Sequence, residues 1–138
     1  MEASLVFVSL IHLRLPYPPT WNHLYGQRGS QKYMKPAGKQ YKQEVCEIVS
    51  QVGIETIEGS VAVFVRAFMP DKRRRDLMNL EKILSDSLTN AGVWLDDSQI
   101  DDFHIVRGPV EKGGRVEVVI TKLKSTGERD IQSEGQCS

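Results

Sequence analysis

Residues 76–91 constrain the fold more than any other segment. At about 100° per residue, Leu77, Leu80, Ile83, Leu84, Leu88 and Ala91 fall on one stripe of a helix. A helix that is apolar on one side has to bury that side, and packing it on a sheet is a common solution. Strands are legible on both sides of it. Residues 59–68 alternate and are β-branched, and Pro70 ends them. Residues 4–14, 102–110 and 115–123 read as further strands, the last two joined at Gly113-Gly114, a hairpin turn signal. A second helix is expected over Pro36–Val52, with proline tolerated in its first turn and Gly53 near its end. The order β, α, β, α, β, β predicts a single α/β (α+β) domain over residues 1–124, one mixed β-sheet with two helices packed on it. Residues 125–138 are polar and aperiodic, and are expected to form a disordered tail.

Composition narrows the class without naming a partner. Hydrophobic and charged fractions of 40% and 26% are those of a soluble globular chain. The formal net charge is zero, so any nucleic-acid signal has to lie in local clustering. One cluster is Asp71-Lys72-Arg73-Arg74-Arg75-Asp76, directly ahead of the helix. Lys72, Arg73, Arg74 and Arg75 at a helix N-terminus would grip phosphates. A charge run standing alone is as often a solvated loop. Residues 21–34 interleave Trp21, Tyr25 and Tyr33 with Arg28 and Lys32, and are read as a loop able to cradle an anion. Its aromatics suit stacking on unpaired bases or ordinary packing equally well. Lys32 and Lys35 would extend the cationic patch if this loop folds toward it. Cys46 and Cys137 form neither a disulfide framework nor a zinc motif, so a reducing cytoplasm is the expectation. The apolar start, Leu5 to Leu13, follows Glu2 and runs into Arg14 and prolines, unlike a secretory leader. No stretch is long enough to cross a bilayer, so no membrane partner is expected.

The carboxylates carry the chemistry. Asp76 stands where a helix N-cap belongs, and the same group could instead ligate a metal. Asp96-Asp97 and Asp101-Asp102 follow the helix. Adjacent acids repel; they are tolerable when solvated, and useful when a divalent cation sits between them and a distant third carboxylate. Met78 and Lys82 share the face opposite the apolar stripe, where a methionine is out of pattern. A lone exposed methionine is unremarkable in itself. His23 and His104 are each single, and a single histidine is more often structural than a ligand.

Met69–Lys82, Asp86–Ile100, Gly113–Val118 and Leu15–Pro19, in this order and spacing, closely resemble the RusA family of Holliday junction resolvases, carried by bacteria and lambdoid prophages. The likeness runs to about residue 123. It implies a homodimeric endodeoxyribonuclease of small α/β fold, in the cytoplasm, that cuts four-way junction DNA with Mg²⁺ in recombination and repair. It further implies catalytic roles for Asp76, Asp97 and Lys82, metal contact by Asp76, Asp97 and Asp96, and a functional basic residue at Arg75. At position 78 the family pattern has aspartate, and this chain has Met78. A thioether is a soft, neutral, poor ligand for Mg²⁺, so cleavage is expected to be weakened. Glu81, one turn along, is a substitute oxygen donor within plausible reach. The alternatives are a junction-binding protein that does not cut, and a protein-interaction domain without a DNA function.

Overall fold

The computed structural model describes residues 10–123. Its centre is a four-stranded mixed sheet built from β1 (Leu10–Leu15), β4 (Val61–Phe68), β5 (Ile100–Arg107) and β6 (Arg115–Lys122), in the order β1-β6-β4-β5. β6 pairs antiparallel with both β1 and β4, and β4 pairs parallel with β5. The expected single domain with a mixed sheet is therefore what forms.

Period-two patterning decides which face of the sheet is buried. Val63, Val65 and Ala67 of β4 lie in register with Ile120, Val118 and Val116 of β6, and these six and Val61 are all buried. The intervening Phe64 remains partly open to solvent on the other face. Two long helices, α2 (Pro36–Val52) and α3 (Leu77–Asn90), pack on the buried side through Tyr41, Val45 and Val49, and through Leu80, Ile83, Leu84 and Leu88. Gly53 caps α2 in the left-handed conformation (φ 77°), its amide bonding to the Val49 and Ser50 carbonyls. The Tyr41 hydroxyl donates to the Pro16 carbonyl at 2.8 Å, pinning the proline segment onto α2.

Two expectations change. The hairpin at Gly113-Gly114 does not form, because β5 and β6 are not neighbours. The turn is real (φ 84° and 70°), but it ends a connection that carries the chain past β5 and β4 to the far side of β4. β6, buried at every second residue, takes the inner position between β1 and β4, and the more exposed β5 takes the edge. The expected loop over residues 21–34 is instead a short helix α1 (Trp21–Leu24) and a hairpin, β2 (Tyr25–Arg28) with β3 (Gln31–Met34). Gly29 turns that hairpin at φ 63°. Of the first expected strand, residues 4–9 lie outside the described residues, as does the tail from 125.

Candidate active site at the start of the third helix

Asp76 is the N-cap of α3: its Oδ1 accepts the Met78 amide at 2.9 Å. This satisfies one of the open helix amides with one oxygen of an exposed carboxylate, so capping does not exclude ligation. Met78 is 74% exposed, too open to serve the core. Lys82, one turn along, is exposed as well.

The cationic run ahead of α3 is folded around an acid whose role sequence reasoning missed. Asp71 accepts the Arg73 amide at 2.9 Å, the Arg73 guanidinium at 3.3 Å and both terminal nitrogens of Arg75. These bonds, Arg75's first, hold the Asp71 carboxyl well below the usual carboxylate range. Arg75 is the most committed of the four. It lies over the Tyr17 ring, and its carbonyl accepts Arg107 Nη2 at 2.7 Å. Arg73 shares Asp71 but keeps a largely exposed side chain. Lys72 and Arg74 are exposed, and neither pairs with a carboxylate among the described residues. The spacing of Asp71 and Arg75, four residues apart, was the available signal for the clamp.

Asp96 and Asp97 sit on a 3-10 turn, Asp97–Gln99, leading into β5. Asp96 caps this turn: its Oδ2 accepts the Ser98 amide at 3.0 Å, and contacts from Ser98 lower its pKa. Gln99 fastens the turn to the body. Its Oε1 accepts the Leu95 and Asp96 amides at 2.8 and 3.0 Å, and its Nε2 donates to the Ile57 and Gly59 carbonyls at 2.9 and 2.8 Å. Buried Trp94, whose Nε1 donates to Thr89 Oγ1 at 2.6 Å, anchors the preceding residues to the end of α3. Asp97 itself is exposed. It lines a cleft of about 340 Å³ with Glu81, Ser85, Asp101 and Asp102. A register shift between β4 and β5 leaves Asp101 as the extra residue between the pairs Val61–Ile100 and Ala62–Asp102, which is how successive acids come to stand at this edge.

Asp76 lines a different cleft, of about 350 Å³, between Tyr17–Asn22 on one wall and Arg74, Arg75, Asn79, Leu80 and Ile83 on the other. Lys32 and Lys35 back the first wall. Lys32 Nζ stands 4.6 Å from the Trp21 ring centroid and 4.8 Å from that of Tyr25, and Lys35 Nζ donates to the Asn22 carbonyl at 2.8 Å. Trp21 and Tyr25 pack against each other with centroids 4.5 Å apart and ring planes tilted by 41°, so packing accounts for both rings.

The available donors are hard carboxylate oxygens, the right kind for Mg²⁺ or a similar divalent ion. Their number is short. Among the described residues no three His, Cys, Asp or Glu side chains gather closely enough to hold a metal ion. Asp76 and Asp97 line separate clefts, and one Asp96 oxygen is engaged as a cap. Glu81 is brought beside Asp97, not beside Asp76. His104 pairs with Asp102 at 2.9 Å, and His23 bonds to Thr20 Oγ1 at 2.9 Å; neither joins the Asp76 site. No helix among the described residues is long and apolar enough to cross a membrane.

Comparison with known proteins gives the family. The family model for endodeoxyribonuclease RusA matches residues 16–121. A crossover junction endodeoxyribonuclease of Enterobacteria phage HK97 is 43% identical over 112 residues, covering 80% of this chain and 93% of the relative. That of Enterobacteria phage 82 is 39% identical over 113 residues, covering 81% and 94%. The corresponding protein of Escherichia coli K12 is 38% identical over 112 residues, covering 80% and 93%.

Proposed function

This chain belongs to the endodeoxyribonuclease RusA family, and on that premise we propose that it is a homodimeric, Mg²⁺-dependent resolvase of four-way DNA junctions whose cleavage is weakened by Met78. The supporting observation is one arrangement: a carboxylate at a helix N-terminus directly after a cationic loop, with an acidic turn set beside Glu81 and Ser85 of the same helix. Asp76 and Asp97, with Asp96 next to Asp97, are the metal contacts on this reading. A bound divalent ion would supply an activated water and neutralise charge at the phosphorus. Lys82 offsets negative charge developing in the transition state from the exposed face of α3. Lys72, Arg73, Arg74 and Arg75 hold the DNA backbone, with Lys32 and Lys35 on the opposite wall of the cleft. Two such sites in a symmetric dimer match a two-fold junction, so cuts come in opposed pairs. The protein works in the cytoplasm of a bacterial or prophage-bearing cell, where such junctions form.

A second reading, junction binding without cleavage, draws its support from exposed Met78 and the missing third donor. Labelled four-way junction incubated with purified protein and Mg²⁺ or Mn²⁺ separates the two. The nuclease reading expects slow, paired nicks that vanish in chelator and in Asp97→Asn, while the junction stays bound in both. Retarded but uncut DNA at every metal concentration would favour the second reading. A protein-interaction domain would show no salt-sensitive affinity for the junction, and Arg73→Ala, Arg74→Ala and Arg75→Ala would then change nothing.

A further inference from the structure

The chain is neutral as a whole but sharply divided along its length. From Ala3 to Gln43 it carries six of its eighteen Lys and Arg residues and none of its eighteen acids. Those cations are Arg14, Arg28, Lys32, Lys35, Lys39 and Lys42. All but Arg14 belong to the β2–β3 hairpin or to the start of α2. Among the described residues, no carboxylate pairs with any of these five. The other cationic cluster, ahead of α3, is by contrast partly spent on Asp71.

Their placement is ordered. Lys35, Lys39 and Lys42 are spaced four and three apart, so they share one stripe of α2 that rises about 10 Å along the helix axis. Arg28 stands at the exposed tip of the hairpin, its guanidinium 5.4 Å from the Tyr33 ring centroid. Strand geometry puts that tip about 10 Å from the hairpin base, where Met34 leads into Lys35 at the start of α2. Through Lys35 on Asn22 and Lys32 on Trp21, this set begins at the wall of the Asp76 cleft that faces Arg74 and Arg75. The cleft thus has Arg74 and Arg75 in one wall and Lys32 and Lys35 behind the other.

We infer that Arg28, Lys39 and Lys42 form a second phosphate track, leading away from the Asp76 cleft, that holds the duplex arm of the junction next to the cut strand. The inference rests on the functional reading above. Arg74 grips the backbone at the scissile position, and the hairpin and α2 grip it along the arm. A stripe of about 10 Å spans about three phosphates of one strand at 3.4 Å of rise each.

The test is junction affinity as a function of salt for the wild type and for the triple variant Arg28→Gln/Lys39→Gln/Lys42→Gln, with circular dichroism to confirm folding. Each lost phosphate contact lowers the slope of log affinity against log salt by about 0.9, so the triple variant should lose between one and three such steps. Its affinity for a long-armed junction should fall at least about tenfold at moderate salt. On a junction with arms of about half a helical turn (~5 base pairs), wild type and variant should bind alike. The single-turnover rate of bound junction should not change. A triple variant with wild-type slope and wild-type affinity for long arms overturns the track while leaving the functional reading intact. Wild-type protein that binds no junction overturns both, and that is seen before any variant is made.

Discussion

On the reading proposed above, Asp76 does two jobs with one carboxylate, as N-cap and as metal contact, and the two can be separated by chemistry. As N-cap it needs only an acceptor oxygen for the Met78 amide, which asparagine supplies nearly as well as aspartate. As a metal contact it needs negative charge, which asparagine lacks. Asp76→Asn should therefore keep thermal stability close to wild type while abolishing cleavage. Asp76→Ala should abolish cleavage and also cost about 1 kcal/mol of stability in chemical denaturation. Equal stability of the two variants would show that the cap contributes nothing; cleavage by Asp76→Asn would remove Asp76 from the metal set. At this scale the sequence was informative about where single residues stand on their elements and silent about how they are held. Asp76 as cap, Met78 as exposed and Asp96-Asp97 in a turn were all legible from spacing. The Gln99 clamp was not, because its partners at Ile57 and Gly59 lie on a separate loop. The Asp71 clamp was missed for another reason: a run of cations draws attention to its charge and away from the acid that neutralises part of it.

Helices and the central strand were readable because their burial pattern is local. The stripe on α3 and the alternation of β4 each declare a face without reference to the rest of the chain. Pairing is not local. Nothing within residues 100–122 says that β6 inserts between β1 and β4, so the Gly113-Gly114 turn was read as a hairpin. The β2–β3 hairpin was hidden for the opposite reason: its strands are four residues each and mostly exposed, with too little apolar alternation to register. What seats it is Gly38 on α2. A methyl group there would stand 2.7 Å from the Leu24 carbonyl oxygen and 2.7 Å from Met34 Cγ. In an open helix, Gly38→Ala would stabilise by up to about 1 kcal/mol. Here the backbone oxygen has no room to yield, and overpacking should win, with a net loss of about 1–3 kcal/mol. Urea denaturation checks the sign. A stabilised variant would mean that α1 and the hairpin do not rest on α2 as described.

For the whole molecule, net charge was the least informative quantity and its distribution the most. A neutral chain gave no hint of a DNA partner, yet its cations stand in one wall of a cleft and behind the other, while acids collect at the edge of β5. That division is what a nuclease requires: positive potential to hold the backbone, and carboxylates beside it to hold a hard ion. On the proposed reading, the exposed thioether of Met78 stands where the family resemblance expects a carboxylate. Loss even of a partner that only supports a ligand typically costs 10–100-fold in metal affinity or activity, so restoring a direct oxygen donor should recover at least about tenfold. The decisive measurement is the rate of cleavage of a synthetic four-way junction across a Mg²⁺ titration, wild type beside Met78→Asp. The account predicts faster cleavage by the variant, reaching half its maximum at lower Mg²⁺. Equal or slower cleavage at every Mg²⁺ concentration would contradict it, and would place the metal somewhere other than between Asp76 and Asp97.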